Sequence, residues 1–204
     1  MKTSAAQALS VRSLTTSRPA GVDVLRADNA SAAIQLLGIV GFALLTAFGA
    51  QIRIYLWEVP ITLQTVGVYG SGLFLGWRNG FLAQALYLLL GLFAPVFAGD
   101  GYGVAYLSGA VSAGYLLAYP VTAMLIGYLS ARWNTLAGST VSMIAGSLLM
   151  FAVGVSWLHV AAHHATWQQS IVDGWLRFVP IDLAKIMLIG IGYTGARFLS
   201  LRRG

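Results

Sequence analysis

Cysteine is missing from the 204-residue sequence, and charge is scarce: 12 Lys and Arg with 6 Asp and Glu make up only 9% of the chain. The first absence removes disulfides, thiolate nucleophiles and cysteine metal sites from consideration. The second excludes an ordinary soluble domain, in which about a quarter of residues are charged. Phosphate-loop chemistry is missing too. It needs G-x-x-x-x-G-K-[ST], and the two lysines, Lys2 and Lys185, stand in no such setting. Serine-nucleophile motifs fare no better: the nearest string, Tyr106-Leu107-Ser108-Gly109, lacks the first glycine of G-x-S-G.

What is present is apolar. Hydrophobic residues make up 58% of the chain, enough for roughly six membrane spans of about 20 residues each. The spans are expected at 30–52, 61–77, 80–97, 113–131, 136–158 and 179–199, within a single membrane domain covering 30–204. Turn signals separate them: Pro60, then Trp77-Arg78-Asn79, Gly99-Asp100-Gly101 and Arg132-Trp133-Asn134. The remaining break, 159–178, is polar and carries Trp167 and Trp175, a composition suited to a short helix lying in the interface. The fold class is thus an all-α integral membrane protein.

Charge placement orients it. With a cytoplasmic N-terminus, the inner segments hold Lys2, Arg12, Arg18, Arg26, Arg78, Arg132, Arg197, Arg202 and Arg203, and the outer loops only Arg53 and Arg177. This positive-inside bias puts both termini in the cytoplasm of a cell-membrane protein. It also explains the net charge of +6 without nucleic acid. Residues 1–29 are basic and rich in Ser and Thr. An organelle transit peptide has a similar composition, but a flexible cytoplasmic tail is the simpler reading.

Asp182 and Lys185 do not fit that scheme, because both fall inside the sixth apolar segment. An ionisable group at a helix centre costs about 2.5–3.5 kcal/mol on insertion scales, so it usually faces a partner or a polar cavity. Three residues apart, the two lie on one face, about 60° apart around the axis. They can pair with each other, or grip one ligand near the outer surface. Pro180 suits the first turn of this helix. Thr62 and Gln64 supply polar atoms at the same depth. Tyr87 and Tyr102 offer ring faces and hydroxyls. In the first span, Ala43 and Ala47 have a small-xxx-small spacing, which suits close approach of another helix within the chain or in a partner. His159 and His163 share a helical spacing, but no acid stands near enough to complete a metal site.

Several strings resemble the BioY family: Val59-Pro60-Ile61-Thr62-Leu63-Gln64-Thr65, Leu75-Gly76-Trp77-Arg78-Asn79-Gly80, Leu86-Tyr87-Leu88-Leu89-Leu90-Gly91 and Pro95-Val96-Phe97-Ala98-Gly99. Gly114-Tyr115-Leu116-Leu117 and Phe178-Val179-Pro180-x-Asp182-x-x-Lys185 extend the likeness. Where the family usually carries a Gly-Pro-Thr-Gly-Gly-like string, this chain reads Ser108-Gly109-Ala110-Val111-Ser112-Ala113-Gly114, and Asp100 interrupts the glycine-rich turn.

The resemblance implies the S-component fold of energy-coupling factor (ECF) transporters, with six helices and a biotin site. It assigns Asp182 and Lys185 to the ureido ring, with Thr62, Gln64 and Tyr87 beside them. It makes Ala43 and Ala47 a docking face for a transmembrane coupling protein that works with two cytoplasmic ATPases. ATP would then be hydrolysed by those partners, and this chain would hold no cofactor, metal or catalytic residue. Segments 51–64 and 97–111 would cover the site. Two other readings stay open: capture of a different small vitamin-like solute, and an intramembrane enzyme using Asp182 and Lys185.

Overall fold

The computed structural model describes residues 25–26, 30–56, 58–133 and 135–202. The tail expected over 1–29 lies outside the described residues except for Leu25 and Arg26.

Helix α1, Ala32–Gln51, opens on Ser31, whose side chain accepts from the Ile34 amide and so satisfies one of the unpaired N–H groups of the first turn. Beyond it the chain forms a feature that the apolar pattern does not announce, a small antiparallel hairpin of β1, Arg53–Ile54, and β2, Ile61–Thr62. Strands of two residues are too short to display a period of two. The Leu63 amide closes the loop onto the carbonyls of Gly49 and Ile52.

Helix α2, Gln64–Phe93, covers both the second and third expected segments, and it is broken at Gly76, with φ 76° and ψ −175°. A side chain strains at that φ, whereas glycine adopts it freely. The break folds the two halves back on each other. A methyl group on Gly80 would stand 3.1 Å from Gly72 Cα, and Gln84 donates to Ser71 Oγ at 3.0 Å. The turn therefore pivots one residue before the expected Trp77-Arg78-Asn79. The second half stops at Phe93 rather than running to 97, because Pro95 forces Ala94 into extended backbone, φ −135° and ψ 150°.

After a short 3-10 turn, Ala98–Asp100, come α3, Gly103–Gly109, and α4, Ala113–Ser130. Helix α5, Leu136–Ala161, is followed by α6, Trp167–Ile171, and a π-type turn, Val172–Leu176, where a short interfacial helix was expected. Helix α7, Val179–Arg202, completes the bundle with Pro180 in its first turn. Helices α1, α4 and α5 are each long and apolar enough to cross a membrane.

The core lies between α2, α4, α5 and α7, around Tyr69, Leu73, Tyr119, Ile126, Met143 and Ile186. Much of the outer face is apolar, with Leu37, Phe48 and Leu188 exposed, as expected where the surrounding solvent is lipid. At one end Arg26 donates to Tyr193 Oη at 2.9 Å, Ser130 Oγ at 3.0 Å and the Gly127 carbonyl at 3.1 Å. The opposite end carries the hairpin, the 3-10 turn and α6.

Candidate functional site

Beneath that second end lies a cavity. Its cover comes from Val59, Pro60, Ile61 and Thr62 of the hairpin, with Ala98 and Tyr106 beyond α2. One wall is Tyr115, Leu116 and Tyr119 of α4, another Met150 and Phe151 of α5, and α7 contributes Ile181, Asp182 and Lys185, with Phe178 just before it. Gln64 and Thr65 add to the lining from the start of α2. The walls are thus apolar and aromatic, with a few polar groups converging on one region, as small-molecule pockets generally are.

Glycines let the aromatics reach their places. A side chain on Gly154 of α5 would occupy the space of the Tyr115 ring, whose hydroxyl donates to the Gly174 carbonyl at 2.8 Å. Gly91 likewise leaves room for Phe97. That ring stacks on Tyr106, with centroids 5.4 Å apart, and meets Tyr87 edge-on at 5.5 Å. The string from Pro95 to Gly99 is therefore the foundation of the cover.

Asp182 and Lys185 both face the cavity, but among the described residues no salt bridge joins them. Asp182 is 5% exposed. Its Oδ1 accepts from Tyr69 Oη at 2.8 Å and its Oδ2 from Ser147 Oγ at 2.6 Å. Lys185 Nζ donates to the Thr62 carbonyl at 2.7 Å and to Thr65 Oγ1 at 3.1 Å. Each group is partly satisfied by neutral partners, and neither is consumed by the other. A carboxylate retains further lone pairs, and an ammonium with two bonds retains one proton. The site therefore presents an acceptor and a donor side by side to one ligand.

Gln64 is held in a single orientation. Its Oε1 accepts from Thr62 Oγ1 at 2.8 Å and Tyr119 Oη at 3.4 Å, and its Nε2 donates to Tyr87 Oη at 2.6 Å. The structure thus brings Thr62, Gln64, Asp182 and Lys185 together around the cavity. Tyr87 is fully buried behind Gln64 and does not line the space. Tyr102 is exposed on the surface. The residues that sequence reasoning missed are Tyr69, Ser147, Tyr115 and Tyr119. Tyr115 and Tyr119 had a visible signal, since residues four apart on α4 share a face; Ser147 had none within the apolar text of α5.

Ala43 and Ala47 lie elsewhere, buried at 0% and 9% exposed. Helix α1 turns its small face into the chain. There α2 approaches so closely that a methyl group on Gly67 would stand 2.9 Å from Thr46 Cα, so neither alanine offers an open docking surface.

An ion pair and a hydrogen bond brace the cover. Arg53 Nη2 meets Asp100 Oδ2 at 3.3 Å, joining the hairpin to the 3-10 turn. Glu58 Oε2 meets His164 Nε2 at 2.8 Å, joining the hairpin to the segment after α5. His164 Nδ1 and His159 Nδ1 both reach Ser170 Oγ, at 3.0 and 2.9 Å. The serine, imidazole and carboxylate are in the order of a hydrolase triad, but Ser170 is fully buried and shared by two histidines, so its hydroxyl ties α6 to the end of α5 and to the turn between them rather than attacking a substrate. Among the described residues no cluster of three or more His, Cys, Asp or Glu could hold a metal ion.

A bundle of apolar helices with a capped, mostly apolar pocket and one donor–acceptor pair defines a solute-binding membrane protein. Comparison with known proteins narrows the class. The BioY family profile matches residues 22–200, and the chain belongs to the BioY family. It is 36% identical to a probable biotin transporter BioY from Lysinibacillus sphaericus, over 73% of this chain and 79% of that one. It is 35% identical to the biotin transporter BioY of Thermotoga maritima, over 77% of this chain and 92% of the relative. Among solved structures, the S component for biotin from an ECF-type ABC transporter superposes with a TM-score of 0.75. That match has 25% identity and covers 84% of this chain and 94% of the other.

Proposed function

We propose that this chain captures biotin at the outer surface of the cell membrane for uptake, as the substrate-binding S component of an ECF transporter. It is a transport protein and not an enzyme. The observation that carries the reading is that Asp182 and Lys185 face one apolar pocket without pairing to each other. A cyclic urea supplies what both require: an N–H to donate to the carboxylate and a carbonyl to accept from the ammonium. The aromatic walls suit the fused ring body, and Gln64 lies within the same polar region.

The fold and the charges support the following membrane arrangement. Folding of α2 at Gly76 makes two crossing segments of one helix. With α1, α4, α5 and α7 the chain crosses six times, and both termini lie in the cytoplasm. Arg26 beside the Gly76 turn marks the inner, positive end, while Glu58, Asp100 and Asp173 lie at the outer end with the pocket.

The energy source lies in partners, a coupling protein and two ATPases, because neither lysine of this chain stands in a phosphate loop. Any contact with the coupling protein through α1 uses its exposed residues rather than Ala43 and Ala47. Transport supplies the test of the assembled reading. Biotin uptake by cells producing this chain should require co-expression of the coupling protein and ATPases. Equal uptake without them would contradict the partner assignment.

A further inference from the structure

Tyr69 and Ser147 line none of the pocket, yet they hold both oxygens of the acid that does. Tyr69 comes from α2 and is 0% exposed, while Ser147 comes from α5 and is 6% exposed. The carboxylate of α7 is therefore gripped from behind by two other elements of the bundle. We propose that Tyr69 and Ser147 are positioning residues that set ligand specificity by fixing Asp182 as an acceptor aimed at a ring N–H. The proposal rests on the biotin reading above and adds to it a structural source for chemical discrimination.

A carboxylate whose two oxygens are each fixed by a hydroxyl donor cannot turn without breaking a charge-assisted hydrogen bond, the stronger kind. On its pocket side it remains acceptor-only. A ligand N–H there gains a bond to a charged group. A ring oxygen in the same place sets acceptor against acceptor in a pocket from which little water can rescue it, and that mismatch is where large discrimination arises. Without Tyr69 Oη or Ser147 Oγ, one carboxylate oxygen loses its fixed partner. The N–H bond then loosens, while the already mismatched ring oxygen has little to lose.

The test uses the purified full chain in detergent with three competitors of labelled biotin: biotin itself and the two analogues in which one or other ureido N–H is replaced by oxygen. In the wild-type protein at least one analogue should bind about a hundredfold more weakly than biotin. Tyr69→Phe and Ser147→Ala should each weaken biotin about tenfold, as the ligand N–H bond to a carboxylate no longer fixed in place loosens. Each should change the rejected analogue less than about twofold, so that the ratio between the two ligands shrinks about tenfold. Ser147→Thr, which keeps the hydroxyl, should keep the wild-type ratio.

An unchanged ratio in both Tyr69→Phe and Ser147→Ala, whether affinities fall together or not at all, overturns the proposal and leaves the two residues as packing. Ser147→Ala removes a single atom, so the test does not depend on the bulkier change at Tyr69. Failure of the wild-type protein to bind biotin overturns the functional reading itself, a result distinct from an unchanged ratio.

Discussion

Lys185 Nζ donates to the main-chain carbonyl of Thr62 at 2.7 Å, so the cation of α7 holds the very strand that closes the pocket. With Thr65 Oγ1 taking a second proton at 3.1 Å, the third is left for a ligand carbonyl. One side chain thereby links ligand recognition to closure of the cover. Replacing Lys185 with Met keeps the stem and removes both functions. Biotin affinity should fall at least about tenfold, and amide hydrogen exchange over the hairpin should speed up. Weakened binding with unchanged exchange would separate the two roles.

The Glu58–His164 pair ties the hairpin from its outer side. Glu58→Gln and His164→Ala should leave the pocket groups intact and loosen the cover, so the dissociation rate of biotin should rise more than the association rate changes. Rapid dilution of labelled complex into excess unlabelled biotin measures this. A dissociation rate equal to wild type in both variants would show that the hairpin is held without the pair.

Gly154 is needed because the Tyr115 ring occupies the space beside it. Gly154→Leu should force α4 and α5 apart at a cost of about 1–3 kcal/mol, as overpacked cores do, and displace Tyr115 from the pocket wall. Thermal unfolding in detergent with and without biotin should show a lower midpoint and a smaller shift on adding ligand. A wild-type midpoint would mean that the helix contact yields at little cost.

Gly76 allows α2 to fold back on itself at φ 76°. Gly76→Val should strain that turn by about 1–3 kcal/mol and reduce the amount of folded protein recovered from membranes. Gly41, which has open space around it, is the control: Gly41→Ala should recover like wild type.

Much of this molecule is legible in the amino-acid sequence because the bilayer imposes strong constraints. Apolar length marked the long helices, and Asp182 and Lys185 stood out because charge inside such text is costly. The bound at Phe93 was also readable from Pro95, although the apolar run carried the expectation past it. Other features have no one-dimensional signature. Ala43 and Ala47 have the spacing of a helix contact, but spacing cannot say which helix, and here α2 fills it. Tyr69 and Ser147 act from behind Asp182 on different helices, so only the packing of α2, α5 and α7 brings them together. The hairpin's two-residue strands are too short for any periodic pattern. Tyr87 was readable as a polar aromatic near the site, but not as a support buried behind Gln64.

Equilibrium dialysis of labelled biotin against the purified chain shows whether Asp182 and Lys185 together hold biotin. The wild-type protein should bind saturably, about one ligand per chain. Affinity should fall about ten- to a hundredfold in Asp182→Ala and in Lys185→Ala, each of which strands a ligand polar group in the pocket. Wild-type affinity in both variants, or no saturable binding by the unaltered chain, would mean that the pair does not hold biotin.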